Sequence, residues 1–252
     1  MILLIDVNFG WNQQYTQSVL PILLTLVFFV TYWFISISPK IKSLFFDRFN
    51  FDDACMKYVF FTKIVGFFFM GLIPLAGCLL VFKKTNLSDY GLTIIPETTI
   101  FSIIWIFILS FIVVPMAYYS ARKPQNLINY PQIKSKRWTK KIFYINLLGW
   151  FLYLFGYELL FRGILLFPLI KSVGIWPAIA INIALYSATH IPKGLSETLG
   201  AIPLGLVLCI LTLYSGTIWI AFLVHVALAW TNSLSALKHH PEIYYIHWKE
   251  KK

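Results

Sequence analysis

Charge is scarce in this chain. Only 12% of its 252 residues are Asp, Glu, Lys or Arg, about half of what an average soluble domain carries. Acid is scarcer still, with 10 Asp and Glu against 21 Lys and Arg and a net charge of +11. With 59% hydrophobic residues, too little polar surface remains to cover a soluble domain of this size. Cysteine is sparse too. Cys55, Cys78 and Cys209 stand at no metal-like or disulfide-like spacing, and two of them fall in apolar runs as small apolar residues. The first fifteen residues contain Asp6 and no basic stretch, so no cleavable leader is expected and the first span would direct its own insertion. Internal repeats and low-complexity tracts are also missing.

What the chain has instead is long apolar runs. A helix crosses a bilayer in roughly 20 residues, and seven runs of about that length are expected at 17–37, 58–82, 99–119, 144–170, 173–191, 196–214 and 216–236. The fold class is therefore all-α, a polytopic membrane helix bundle of about seven transmembrane helices. Loops after the first, third, fifth and seventh runs hold 16 of the 21 Lys and Arg, while the N-terminus and the other loops hold three. By the positive-inside rule the N-terminus is expected outside and the C-terminus in the cytoplasm. The densest basic loop, 121–141, separates a three-span region, 1–139, from a four-span region, 140–236, with a cytoplasmic tail at 237–252. The basic loops suit anionic lipid headgroups. They lack the interleaved aromatics of a nucleic-acid surface, so no nucleic acid is expected as a partner.

Against this background a few polar residues stand out, because lipid gives no reason to keep them. Glu158 and Arg162 lie four residues apart in the apolar stretch 151–167, on one helix face. His190, Glu197 and His225 follow in or beside later runs. Read structurally, Glu158 and Arg162 are a self-neutralising pair that fixes helix packing, with Gly163 admitting a neighbour. Read functionally, Arg162 holds Glu158 as a carboxylate that orients water or binds a metal. Glu158, His190 and His225, with Glu197, also supply ligand types of a divalent metal such as zinc. Pro192-Lys193-Gly194 ends the helix after His190, so Glu197 opens the next one, either facing His190 across the turn or complementing the helix dipole. Tyr157, Tyr186, Asn182 and Asn232 could line a polar cavity in support. Lys63, five residues into the second run, reads as a structural residue snorkelling to the surface. The seventh run has no lysine, which removes a retinal Schiff base, and the missing inverted repeat speaks against a proton-coupled transporter.

Three short patterns carry a resemblance. Tyr157-Glu158-Leu-Leu-Phe-Arg162-Gly163, Tyr186-Ser-Ala-Thr-His190 and His225 followed by Ala229 resemble, in order and spacing over residues 140–236, the motifs of the CPBP family of intramembrane proteases. That family includes the type II CAAX prenyl proteases and bacterial Abi-type proteins. The resemblance implies an intramembrane endopeptidase acting on membrane-associated peptides or proteins from the cytoplasmic side, in a bacterial inner membrane. Glu158 or Glu197 would polarise water, Arg162 would orient Glu158, and His190 and His225 would stabilise the oxyanion or hold a metal. Two departures are plain. Tyr157 replaces the family's first Glu, and Ala229 replaces its last Asn or Asp, with Asn232 one turn on. They motivate the alternative of a non-catalytic membrane binding protein that retains the fold.

Overall fold

The computed structural model describes residues 10–249, and among them helices dominate. α1 (Gln13–Ile37) starts at Asn12, whose side chain accepts from the Tyr15 amide. The short α2 (Pro39–Phe46) leads to α3 (Phe51–Phe67), which runs on through a π turn into α4 (Ile73–Val81). A 3-10 turn at Leu87–Tyr90 precedes α5 (Pro96–Ser120), and α6 (Pro124–Asn129) lies in the basic loop. α7 (Lys140–Glu158), a π-helix (Leu159–Leu166) and α8 (Phe167–Val173) form one continuous helix. After α9 (Ile175–Ala188) come α10 (Leu195–Ser215), α11 (Trp219–His239) and the short α12 (Ile246–Lys249).

Six of these helical stretches are long and apolar enough to cross a membrane: 14–37, 51–81, 96–120, 140–173, 195–215 and 219–239. The expected run at 173–191 yields only the 14-residue α9. Gly174, at φ +84°, breaks the chain before it, and a turn at Thr189–His190 ends it early. Both positive-φ glycines flanking this region, Gly174 and Gly194 (φ +103°), sit where a side chain would strain the backbone.

The 140–173 helix is the most deeply enclosed of the six, with α3 and α11 packed along α7 and α1 along α8. α5 packs along α11, so front and back regions interleave around a shared core. Backbone approach sets the α3–α7 spacing. A Cβ on Gly156 would lie 2.9 Å from Phe67 Cα and 3.0 Å from the Gly66 carbonyl oxygen.

The loops sort onto two faces. On the basic face the Lys136 amide donates to Asp52 Oδ1 at 3.2 Å, and Arg137–Trp138 pairs in parallel with Tyr244–Tyr245. That stitches the start of α3 and the loop after α6 to the C-terminal tail. On the other face Lys171 meets Asp89 at 2.9 Å, and Trp219 Nε1 donates to the Thr93 carbonyl at 2.7 Å. The two-sidedness agrees with the alternation of the basic loops.

Candidate active site

Glu158 closes α7 where the helix widens into its π segment. A π turn bonds i to i+5 rather than i+4 and recurs at functional sites, and a four-residue spacing stays on one face in either geometry. Gly163 makes room for the widened turn, since a Cβ there would lie 2.8 Å from the Tyr90 carbonyl oxygen. The neighbour it admits is thus the backbone of the 3-10 turn before α5.

Glu158 and Arg162 are both fully buried, with Arg162 Nε 3.3 Å from Glu158 Oε2. The guanidinium continues past the pair. Nη1 donates to Asn182 Oδ1 and lies 3.7 Å from Cys209 Sγ, and the group stacks 4.5 Å from the centre of the Tyr186 ring. Asn182 Nδ2 donates in turn to the Phe161 carbonyl at 2.6 Å. Besides Glu158, Arg162 is therefore held by Asn182, Cys209 and the face of Tyr186.

The other carboxylate oxygen meets His225. Glu158 Oε1 and His225 Nδ1 are 2.6 Å apart. A carboxylate only accepts, so Nδ1 carries a proton, and in the neutral ring Nε2 is the bare nitrogen. His190 follows the same logic, with Nδ1 3.0 Å from the Tyr186 carbonyl. Neither Nε2 has a hydrogen-bond partner among the described residues. The rings of Tyr157 and Tyr186 pack edge-on or tilted against both imidazoles, at centroid distances from 5.0 to 6.5 Å.

A cavity of about 270 Å³ opens beside these rings, lined by Tyr157, Thr189, His190, Lys193 and His225 together with Lys63, Trp150 and Tyr153. Its other wall is α1, from Phe29 to Ile37, and Gln132 lies at its basic-face end. Glu158 itself is absent from the lining, so it reaches the cavity through His225. Tyr157 hydroxyl and Thr189 Oγ1 are 2.7 Å apart, and Thr189 Oγ1 donates to the Tyr186 carbonyl at 2.7 Å. That chain of hydrogen bonds ends on a carbonyl, so the Tyr157 hydroxyl donates to Thr189.

The structure thus brings Tyr157, Glu158, Arg162, Asn182, Tyr186, His190 and His225 into one cluster. It does not bring Glu197 into it: half-buried in the first turn of α10, Glu197 pairs with Lys193 at 3.6 Å and is not on the lining. Asn232 also stays off the lining, and its Oδ1 is buried without a hydrogen-bond partner. A metal fits poorly: no three His, Cys, Asp or Glu side chains gather to hold an ion among the described residues, and a protein zinc site takes three or four. Thr189 escaped the sequence reading, and Cys209 was read only as a small apolar residue, though it lies against the Arg162 guanidinium. Lys63, expected to snorkel, instead lies buried over Trp150.

Residues 139–231 match the family model described as type II CAAX prenyl endopeptidase, Rce1-like. The matched stretch spans the helices that hold the cluster, in agreement with the three motifs. No curated protein and no solved structure matches the chain.

Proposed function

We propose, from a chain whose residues 139–231 form an Rce1-like domain, that this membrane protein is an intramembrane endopeptidase cleaving membrane-associated peptides, with His225 as its base. The observation that carries the reading is the 2.6 Å contact of Glu158 with His225 beside a cavity. The family match supports a peptidase, and the geometry supports a division of labour different from a carboxylate acting directly on water.

In this mechanism Glu158 holds the imidazole by Nδ1, and Arg162 holds Glu158. A water in the cavity gives one hydrogen bond to His225 Nε2 and the other to His190 Nε2, which aims its lone pair at the scissile carbonyl. His225 takes the proton as the C–O bond forms, and the imidazolium is stabilised by the carboxylate behind it. Lys193, positioned by Glu197, brings positive charge toward the oxyanion. When the C–N bond breaks, His225 returns the proton to the leaving amine. Tyr157, where the family has Glu, packs the two imidazoles and takes no proton. No step is routed through a metal. We place the enzyme in a bacterial inner membrane, among lipids whose anionic headgroups meet its basic face.

A second reading has its own observation. Tyr157 is tied to Thr189 and replaces a family carboxylate, which suits a binding protein that kept the fold and lost hydrolysis. Comparing protein termini in host membranes carrying wild type, Glu158→Gln, His225→Ala or His190→Ala separates the two. New termini seen only with wild type establish the peptidase. Identical termini in all four, with every protein stably inserted, establish the binding protein.

A further inference from the structure

Cations are few on the face opposite the basic one, and they are not spread over it. Of the 21 Lys and Arg residues, its loops hold only Lys83, Lys84 and Lys171. All three line one cavity of about 380 Å³, between the end of α4, the end of α8 and the start of α1. Positive charge on that face works against the insertion bias, so its gathering at one cavity calls for a local reason. Asp89, the one carboxylate among the described lining residues, accounts for Lys171, whose Nζ lies 2.9 Å from Oδ1. Lys83 and Lys84 take part in none of the ion pairs among the described residues. The hydroxyls on the lining are committed to the protein: Thr85 Oγ1 donates to the Phe82 carbonyl at 2.7 Å and accepts from the Tyr90 hydroxyl at 3.1 Å. The Gln17 amide adds further N–H donors. The cavity therefore holds more cationic and donor groups than it has acceptors to meet them.

We propose that this cavity binds the phosphate of a phospholipid headgroup from the leaflet opposite the basic face. Lysine binds phosphate as a point charge, and two ammoniums without partners can each meet one of the two unesterified oxygens of a phosphodiester. Depth favours a lipid over a soluble anion. The cavity lies at the ends of three helices that reach the bilayer boundary, where lipid phosphate is the prevailing anion. Its rim is apolar: Val81 is on the lining, and Leu80 beside it is 75% exposed. A headgroup can enter a space of about 380 Å³, within the roughly 300–1,000 Å³ of sites that enclose small molecules, while the acyl chains stay outside along Leu80 and Val81. A lipid held there bridges α4, α8 and α1, and α1 is also a wall of the cavity beside His190 and His225. Lys83 and Lys84 lie outside residues 139–231, and the binding needs no hydrolysis.

The test is native mass spectrometry of the delipidated full chain in detergent, titrated with phosphatidylglycerol, with diacylglycerol of the same chains, or with inorganic phosphate. Wild type is expected to bind one phosphatidylglycerol more tightly than any further copy, and to bind diacylglycerol at least roughly tenfold more weakly. Replacing both lysines, Lys83→Gln with Lys84→Gln, should weaken that first binding by at least roughly tenfold, since each lysine near an anionic headgroup contributes about fivefold. Lys83→Arg with Lys84→Arg should keep it. Lys40→Gln with Lys42→Gln, on the basic face, should also leave it unchanged. Diacylglycerol bound as tightly as phosphatidylglycerol, or a first binding that survives in the double Gln variant, would overturn the assignment. So would a first binding lost in the Lys40/Lys42 variant, which would move the site to the basic face. Inorganic phosphate that binds as tightly and displaces the lipid would give the cavity to a soluble anion and overturn the lipid. The double Arg variant guards against misfolding: if it too loses the lipid, charge at these positions does not hold the headgroup and the proposal fails.

Discussion

At the position of Glu158, three charged or chargeable groups share one buried point: a carboxylate between the Arg162 guanidinium and the His225 imidazole. The arrangement is asymmetric. Arg162 also has Asn182 and the face of Tyr186, so it tolerates loss of the carboxylate better than Glu158 tolerates loss of the guanidinium. Breaking a buried pair by removing one partner costs about 3–5 kcal/mol, because the survivor is left uncompensated. Arg162→Met is therefore expected to destabilise the protein by about that amount. Adding Glu158→Gln to Arg162→Met should restore part of the loss, since no bare carboxylate then remains. Denaturant titration in mixed micelles measures the single and double variants. A double variant no more stable than Arg162→Met would show that the guanidinium acts through Asn182 and Tyr186 rather than through Glu158.

Helices explain which of these residues were legible in the sequence. Glu158, Arg162, His190 and His225 stood out because each interrupts an apolar run, and their convergence needed only that the runs be helices packed together. Glu197 looked equivalent because it could face His190 across the turn, yet the turn through Gly194 sets it against Lys193 instead. Lys63 was misread because its partner, Trp150, is remote in sequence, and a lysine near the end of an apolar run looks the same whether it snorkels or not. The π segment at 159–166 was invisible for another reason: a four-residue spacing does not distinguish the two helix types. Nor could seven apolar runs announce that one would fold as the 14-residue α9. What the apolar runs conceal most is backbone contact. Gly156 reads as a neutral residue, but it lets α7 touch α3 at Phe67, one turn from the lysine. Gly156→Val is thus expected to cost about 1–3 kcal/mol by overpacking. Gly200→Ala, with nothing within 4 Å of the new Cβ, should be neutral or stabilising by up to about 1 kcal/mol. Paired thermal melts in detergent check both, and equal melting temperatures would mean that α3 and α7 can separate freely.

For the molecule as a whole, the decisive property is which face is basic and where the cavity opens. The start of α3, the loop after α6 and the C-terminal tail are joined on one face. The cavity is lined by Gln132, His190 and Lys193 from loops of that same side. If positive charge sets topology, the cavity faces the cytoplasm, and under the proposed peptidase reading its peptide substrates come from there. Exposed loop positions test this directly, because the native cysteines, Cys55, Cys78 and Cys209, are buried and give little background. Lys84→Cys, exposed on the opposite face, is expected to react with a membrane-impermeant maleimide in intact cells. Lys123→Cys, exposed on the basic face, should react only after permeabilisation. The reverse pattern would turn the cavity outward and exchange the whole population of peptides that could reach His225. The same cluster would then need substrates delivered across the membrane first. Sidedness, more than any single side chain, therefore decides which proteins this chain can meet.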